Sequence, residues 1–428
     1  MTEMNDNSRP EPKQVERPTS ASFRFREAFD KYVHDDSIEG SGYVVVDNGH
    51  TSEWHVIGMA DRDARQPVDQ KTIFHWGSIT KTLTAVAVMQ LRDSGKISLD
   101  DSITKYVPEL VRIHSDYGPV SQVTLKQLLS HTSGFQGPTW PYRDDTKPWQ
   151  PFEPTEWAQL VAMMPYQELA FKPGTRFSYS NPAFIYLARV IEAVSGISYE
   201  AYVRQHILGP LGMQRSYFNL TPASLARDRS NNYTVSIDAS GRQITKPNGR
   251  DFDTGITTPN GALNAPLGDL VTWVAFLTGA GSVTPGSAAA TSAASHLTGP
   301  SSMRSRREHV FRQVEKPSPL ILSRASLEEM WRPVVVVNDT PEHPQHMGLS
   351  FFLDPRPSGS GTITFVGHTG SQAGFRAFLE FNPNTKRAVI AAFNTSHAAG
   401  HNEAEDRAAE TSWKGYTSLR EQSLDLLR

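Results

Sequence analysis

The chain has no cysteine among its 428 residues. Disulfide staples, thiolate metal ligands and a cysteine nucleophile are therefore excluded. No apolar run reaches the ~18 residues that a membrane-spanning helix needs. An excess of one charge is also missing: 42 basic residues stand against 45 acidic ones, a net charge of -3. Without a basic excess, neither nucleic acid nor an anionic membrane is an expected partner. The first residues, MTEMNDNSRPEPKQVERPTSAS, lack the apolar core of a secretory signal. They predict a disordered leader over 1–21 and a cytoplasmic address, which would separate the protein from cell-wall substrates.

What is present has the composition of a globular protein, 38% hydrophobic and 20% charged. Phe25, Phe29, Tyr32 and Val33 fall at helical spacing. Two strands follow around a turn at Asp47-Asn48-Gly49. From Ser78 to Leu91 apolar residues become dense, predicting a largely buried helix that ends before Gly95. Helices and loops continue to about residue 280, with a proline- and aromatic-rich stretch carrying Trp140, Tyr142, Trp149 and Trp157. An Ala/Ser/Thr tract reads as a flexible insertion over 282–319. Three more strands form a meander around GTITFVGHTG, GFRAFLEFNP and KRAVIAAFNT, and a helix closes the chain.

Neither strand group is large enough to be stable alone, so the expected α/β fold pairs them into one five-stranded antiparallel sheet. The N- and C-terminal helices would cover one face, and a large, mostly helical block the other. The expected organisation is a single catalytic domain over 22–428. Its α/β part covers about 22–76 and 326–428, and its helical part about 77–281. Chemistry is expected in the cleft between sheet and helical block.

The tetrapeptide SITK occurs twice, at Ser78–Lys81 and at Ser102–Lys105. A serine nucleophile assisted by lysine needs both side chains on one helical face at an accessible helix start. Ser78 follows Gly77 and opens the long apolar helix, so Lys81 would be partly desolvated on its first turn and available as a neutral base. Ser102 follows Leu99-Asp100-Asp101 and meets Pro108 within two turns, which predicts a solvated surface turn. Tyr179 and Asn181, before a helix that Pro182 can initiate, supply a phenol to relay protons and an amide to orient a carbonyl. A phenol beside an ammonium would be held partly as phenolate. His368-Thr369-Gly370 ends a strand, giving a hydroxyl and an uncluttered backbone along which substrate can lie. His343 and His346 sit in a proline-bearing loop without a third ligand, so neither metal nor cofactor is expected.

In order and at the usual intervals, FHWGSITKTLTA, LKQLLSHTSGF, FKPGTRFSYSNPAFIYLARVIEAVSG, LGPLGM and GHTGSQAGF resemble stretches of the serine β-lactamase-like superfamily. That group contains class C β-lactamases, D-alanyl-D-alanine carboxypeptidases, D-amino-acid peptidases and family VIII carboxylesterases. The resemblance implies a β-lactamase/transpeptidase-like fold and a serine hydrolase that forms an acyl-enzyme on Ser78. It makes Lys81 the base, Tyr179 the proton donor to the leaving group, and Asn181 the holder of Lys81 and the substrate carbonyl. The backbone N–H groups of Ser78 and Ser371 would form the oxyanion hole, and His368 would steer Tyr179 or the substrate. Histidine at 368, where lactamases carry lysine, departs from the lactamase pattern and leaves Arg376 as a candidate for the missing charge. His131 reads as a loop anchor. The expected substrate is a small ester, amide or peptide. Acyl transfer to a small acceptor, or a non-catalytic sensor role, are the alternatives.

Overall fold

Bulky apolar residues alternate along the strands, and the alternation sorts them onto two faces of one sheet. The computed structural model describes residues 20–135, 154–238, 240–280, 321–340, 344–400 and 402–428. Helix α1 (Ser20–Asp35) leads into β1 (Gly40–Asp47), β2 (His50–Asp61) and β3 (Gln66–Pro67). Late in the chain come β4 (Val335–Asn338), β5 (Gln345–Met347), β6 (Phe352–Ser358), β7 (Gly361–Gln372), β8 (Phe375–Asn382) and β9 (Arg387–Phe393). They form one nine-stranded sheet in the order β3-β2-β1-β9-β8-β7-β6-β5-β4. The β1–β2 hairpin turns at Asn48 and Gly49, with φ of 46° and 79°, the left-handed pair that a two-residue turn requires.

The five expected strands are contiguous here as β2-β1-β9-β8-β7, but the sheet is wider than five. Proline hides β6: Pro355 and Pro357 would bar it from a sheet centre. It pairs with β5 only through Phe352 and Leu353, so the prolines lie where that side of the strand is an edge. The other additions are two to four residues long, too short for a pattern to register.

One face, with Tyr43, Val45, Phe378, Val389 and Phe393, packs beneath α1 and the closing helix α5 (Glu403–Ser423), whose Phe25, Phe29, Tyr416 and Leu419 complete the layer. The opposite face, with Val44, Val46, Ala377, Leu379, Phe381 and Ile390, belongs to the larger core shared with the helical block. That block is built around α2 (Thr80–Asp93), α3 (Asn181–Ser195) and α4 (Leu267–Thr278). Every residue of α2 from Thr80 to Met89 is buried, as its apolar density predicts, and the chain leaves it at Gly95 with φ +70°. Among the described residues no helix is long and apolar enough to cross a membrane. The tract at 282–319 lies outside the described residues, as do Trp140, Tyr142, Trp149 and His343. Trp157 is described; it opens a short helix and lies 4.9 Å from the Arg189 guanidinium.

Candidate active site

Two glycines bring the sheet and the start of α2 into contact. Gly77 adopts φ +49°, and a Cβ there would lie 2.7 Å from the Ser371 nitrogen. A Cβ on Gly370 would stand 2.0 Å from the Trp76 carbonyl oxygen and 3.3 Å from the Ser78 nitrogen. Real Cβ atoms do not fit at such distances, so bare backbone is what lets the end of β7 lie against the turn carrying Ser78. Just before that turn, His75 Nδ1 meets Asn264 Oδ1 at 2.9 Å and its Nε2 meets Gln372 Oε1 at 3.0 Å, tying the same two segments together.

Ser78 is half-buried, two residues before α2, and its carbonyl accepts the Lys81 N–H at 3.0 Å. Lys81 is 0% exposed. Its Nζ lies 2.9 Å from Ser78 Oγ and donates to the Asn260 carbonyl at 2.8 Å. Burial holds this amine well below the usual lysine value, and no carboxylate opposes the shift. The side chain expected to be partly desolvated is thus wholly so, which favours the neutral amine beside the hydroxyl.

Tyr179 precedes α3, which Ser180 caps by accepting the Ala183 N–H at 3.2 Å, with Pro182 in the first turn. Its phenol faces Ser78 closely enough for the hydroxyl to oppose its upward shift, and its ring centroid is 4.9 Å from Lys81 Nζ. Burial pushes the phenol upward, outweighing the Ser78 contact. Burial thus favours the neutral phenol at Tyr179, unlike the partial phenolate expected from a neighbouring ammonium. Asn181 is half-buried at the start of α3, with its Oδ1 enclosed and without a hydrogen-bond partner. The contact expected between Asn181 and Lys81 is taken instead by the Asn260 carbonyl.

His368, Thr369, Gly370 and Ser371 all lie on β7, with Thr369 half-buried and Ser371 exposed. His368 is buried, its ring 6.3 Å from that of Tyr179 and its Nδ1 2.6 Å from the Thr369 carbonyl. Burial lowers it to about 3, so it is uncharged near neutrality. Arg376 does not supply a charge to this cleft. It faces the other side of the sheet, 7% exposed, donating to Ser412 Oγ at 2.8 Å beneath α5. One residue of β8 was enough to reverse its direction, because side chains alternate across the sheet.

The second SITK behaves differently. Ser102 Oγ accepts the Thr104 N–H at 3.2 Å and caps a short 3-10 turn, while exposed Lys105 pairs with Asp101 at 3.1 Å. A second Tyr-x-Asn, at Tyr217, lies in a short strand against Leu263–Pro266, its hydroxyl 2.6 Å from Thr221 Oγ1. Two participants escape the sequence reading. Asn260 acts through a main-chain carbonyl, which no residue type announces. His131, read as a loop anchor, stacks on Tyr179 with ring centroids 4.4 Å apart.

A sheet capped by terminal helices, with serine, lysine and tyrosine converging between it and a helical block, is the arrangement expected from the resemblance. A family model described as Beta-lactamase matches residues 25–412, and the chain belongs to that family. Protein flp of Staphylococcus aureus is 27% identical over 246 residues, which cover 56% of this chain and 45% of that protein. The chain thus spans about half the length of this curated relative. Among solved structures, the octameric penicillin-binding protein homologue from Pyrococcus abyssi is similar with a TM-score of 0.67 and 23% identity, covering 92% of this chain and 77% of that one. A class C beta-lactamase is similar with a TM-score of 0.64 and 20% identity, covering 92% and 96%. At these identities the solved structures establish the fold alone.

Proposed function

We propose that this protein is a serine hydrolase that cleaves an ester or amide bond of a small molecule or peptide through an acyl-Ser78 intermediate. The observation that carries the reading is the wholly buried Lys81 amine, without a carboxylate partner among the described residues, 2.9 Å from the half-buried Ser78 hydroxyl. Neutral Lys81 takes the Ser78 proton as Oγ bonds to the substrate carbonyl carbon. The carbonyl oxygen becomes an oxyanion, received by the backbone N–H groups of Ser78 and Ser371, which the two glycines hold side by side. As the intermediate collapses, the bond to the leaving oxygen or nitrogen breaks, and the Tyr179 phenol gives that atom a proton. Lys81 returns the first proton to Tyr179. Water then attacks the Ser78 ester by the same path reversed, releasing the acid.

Intact-mass measurement with a fluorophosphonate tests this assignment. One adduct is expected on the wild-type protein and none on Ser78→Ala, which also loses turnover of p-nitrophenyl esters. Full turnover by Ser78→Ala would overturn it.

A further inference from the structure

His131 holds Tyr179 at three points. Its carbonyl accepts the Ser178 N–H at 2.9 Å, and its Nδ1 accepts the Ser180 N–H at 2.9 Å, so the residues on both sides of Tyr179 are fixed by one partner. Its ring lies over the phenol at 4.4 Å and 22°, with Phe177 and Phe184 at 5.9 and 5.1 Å closing the cage. An imidazole that accepts through Nδ1 carries its proton on Nε2. Here that Nε2 is buried without a hydrogen-bond partner. His131 also adopts φ +56°, a left-handed conformation that a non-glycine residue rarely takes. An unspent polar atom and a strained backbone at one buried residue are features retained where geometry serves a site. Its own backbone N–H reaches Leu128 at 3.2 Å, anchoring the clamp to the short helix Leu125–Leu129.

We propose that His131 is a positioning residue that sets the reach of the Tyr179 hydroxyl between Ser78 and the leaving group. The proposal rests on the reading of Tyr179 as proton donor. The Ser180 N–H requires the Nδ1 lone pair, and burial, which pushes the imidazole below its usual value, favours the neutral ring that carries it. Deacylation runs through the same phenol for every ester, so the discriminating step is acylation, where a misplaced phenol slows only a leaving group that needs its proton. An alkoxide must be protonated to leave, whereas p-nitrophenolate departs without help.

The test compares an alkyl ester with a p-nitrophenyl ester in His131→Asn, Tyr179→Phe and the double variant. Asparagine tolerates φ above zero and retains an acceptor for the Ser180 N–H, but loses the ring contact. His131→Phe, which keeps a ring and removes the acceptor, is the second probe; a thermal melt selects the folded variant. Expected for either His131 variant is a loss of about ten- to hundredfold in the single-turnover acylation rate with the alkyl ester, part of the 10²–10⁴ a positioned acid supplies. Substrate binding should hold, and the acylation burst with the p-nitrophenyl ester should change less than about threefold, because that leaving group needs no proton. The double variant should be no slower than Tyr179→Phe. Equal losses on both esters, or losses that multiply in the double variant, would overturn the clamp while the leaving-group effect of Tyr179→Phe preserved the relay. If Tyr179→Phe itself shows no leaving-group effect, the relay falls and the clamp falls with it.

Discussion

Ser78–Lys81 and Ser102–Lys105 are the same four residues in two surroundings. In the first, the lysine is enclosed between α2, α3 and the Asn260 carbonyl, with the serine hydroxyl as its polar neighbour. In the second, the lysine is 57% exposed and paired to Asp101, and the serine spends its oxygen on a cap. The two amines are pushed in opposite directions, Lys81 down by burial and Lys105 up by the Tyr106 phenol and Asp101. A tetrapeptide therefore carries no chemistry of its own. The reactive pair is made by what surrounds it, chiefly the removal of water and of counter-charge from one amine.

The strongest way to break this comparison is to remove each amine in turn. Lys81→Ala is expected to slow acylation of Ser78 by about 10³-fold, within the range for a lost general base. Lys105→Ala should leave the acylation rate unchanged. Stopped-flow measurement of the ester burst reads both, and a comparable loss in Lys105→Ala would end the distinction.

Next in size is the contact that sets the first copy against the sheet. In Gly370→Ala the new methyl would meet the Trp76 carbonyl at 2.0 Å, and in Gly95→Ala, a few residues beyond α2, it would meet nothing within 4 Å. Backbone cannot rotate aside as a side chain can, so Gly370→Ala should cost about 3 kcal/mol or more and abolish labelling. Gly95→Ala should cost only about 1 kcal/mol, from its φ of +70°, with labelling intact. Urea denaturation together with probe labelling compares the two.

How much of this was legible in advance follows from where each signal resides. The α2 helix and its buried face were readable because apolar residues run densely over ten positions, and the choice of Ser78 followed from that helix. The β7–β9 meander was readable from alternation and turn residues. The direction of Arg376 was not, since a strand's register decides it and the chain does not print its register. Nor was the Asn260 carbonyl, which is main chain and could belong to any residue. His131 was visible as a residue but not as a partner, because its ring meets Tyr179 across 48 positions of sequence. Chemistry that depends on side-chain type was legible; chemistry that depends on which backbone arrives beside it was not.

The opposite displacements of the two lysines also predict opposite pH behaviour. Unfolded, Lys81 titrates near the ordinary 10.5; folded, well below it. Between those values the unfolded state binds a proton that the folded state does not, so stability rises with pH across the window. The slope is at most about 1.4 kcal/mol per pH unit for one group. Lys105, raised in the fold, contributes stability that is lost as pH climbs through its folded value, and its exposure makes that contribution small. Subtracting the Lys81→Met stability profile from that of the wild type should leave a positive slope below pH 10, and Lys105→Met should leave none there. A flat difference for Lys81→Met would mean that the buried amine is charged after all.

The smallest effect expected is on the serine of the second copy. Ser102 Oγ accepts the Thr104 N–H and meets Thr104 Oγ1 at 2.9 Å, so Ser102→Ala removes a cap from a three-residue turn. Caps of this kind are worth about 0.5–2 kcal/mol, and the partly open site puts the expected loss near the lower end. Activity should be untouched, because nothing in the turn reaches the cleft where Ser78, Lys81 and Tyr179 meet. A modest drop in denaturation midpoint with an unchanged adduct mass and burst rate is the predicted pair of results. The same alanine at Ser78 gives the inverse: chemistry lost, and stability little altered, because that hydroxyl caps nothing.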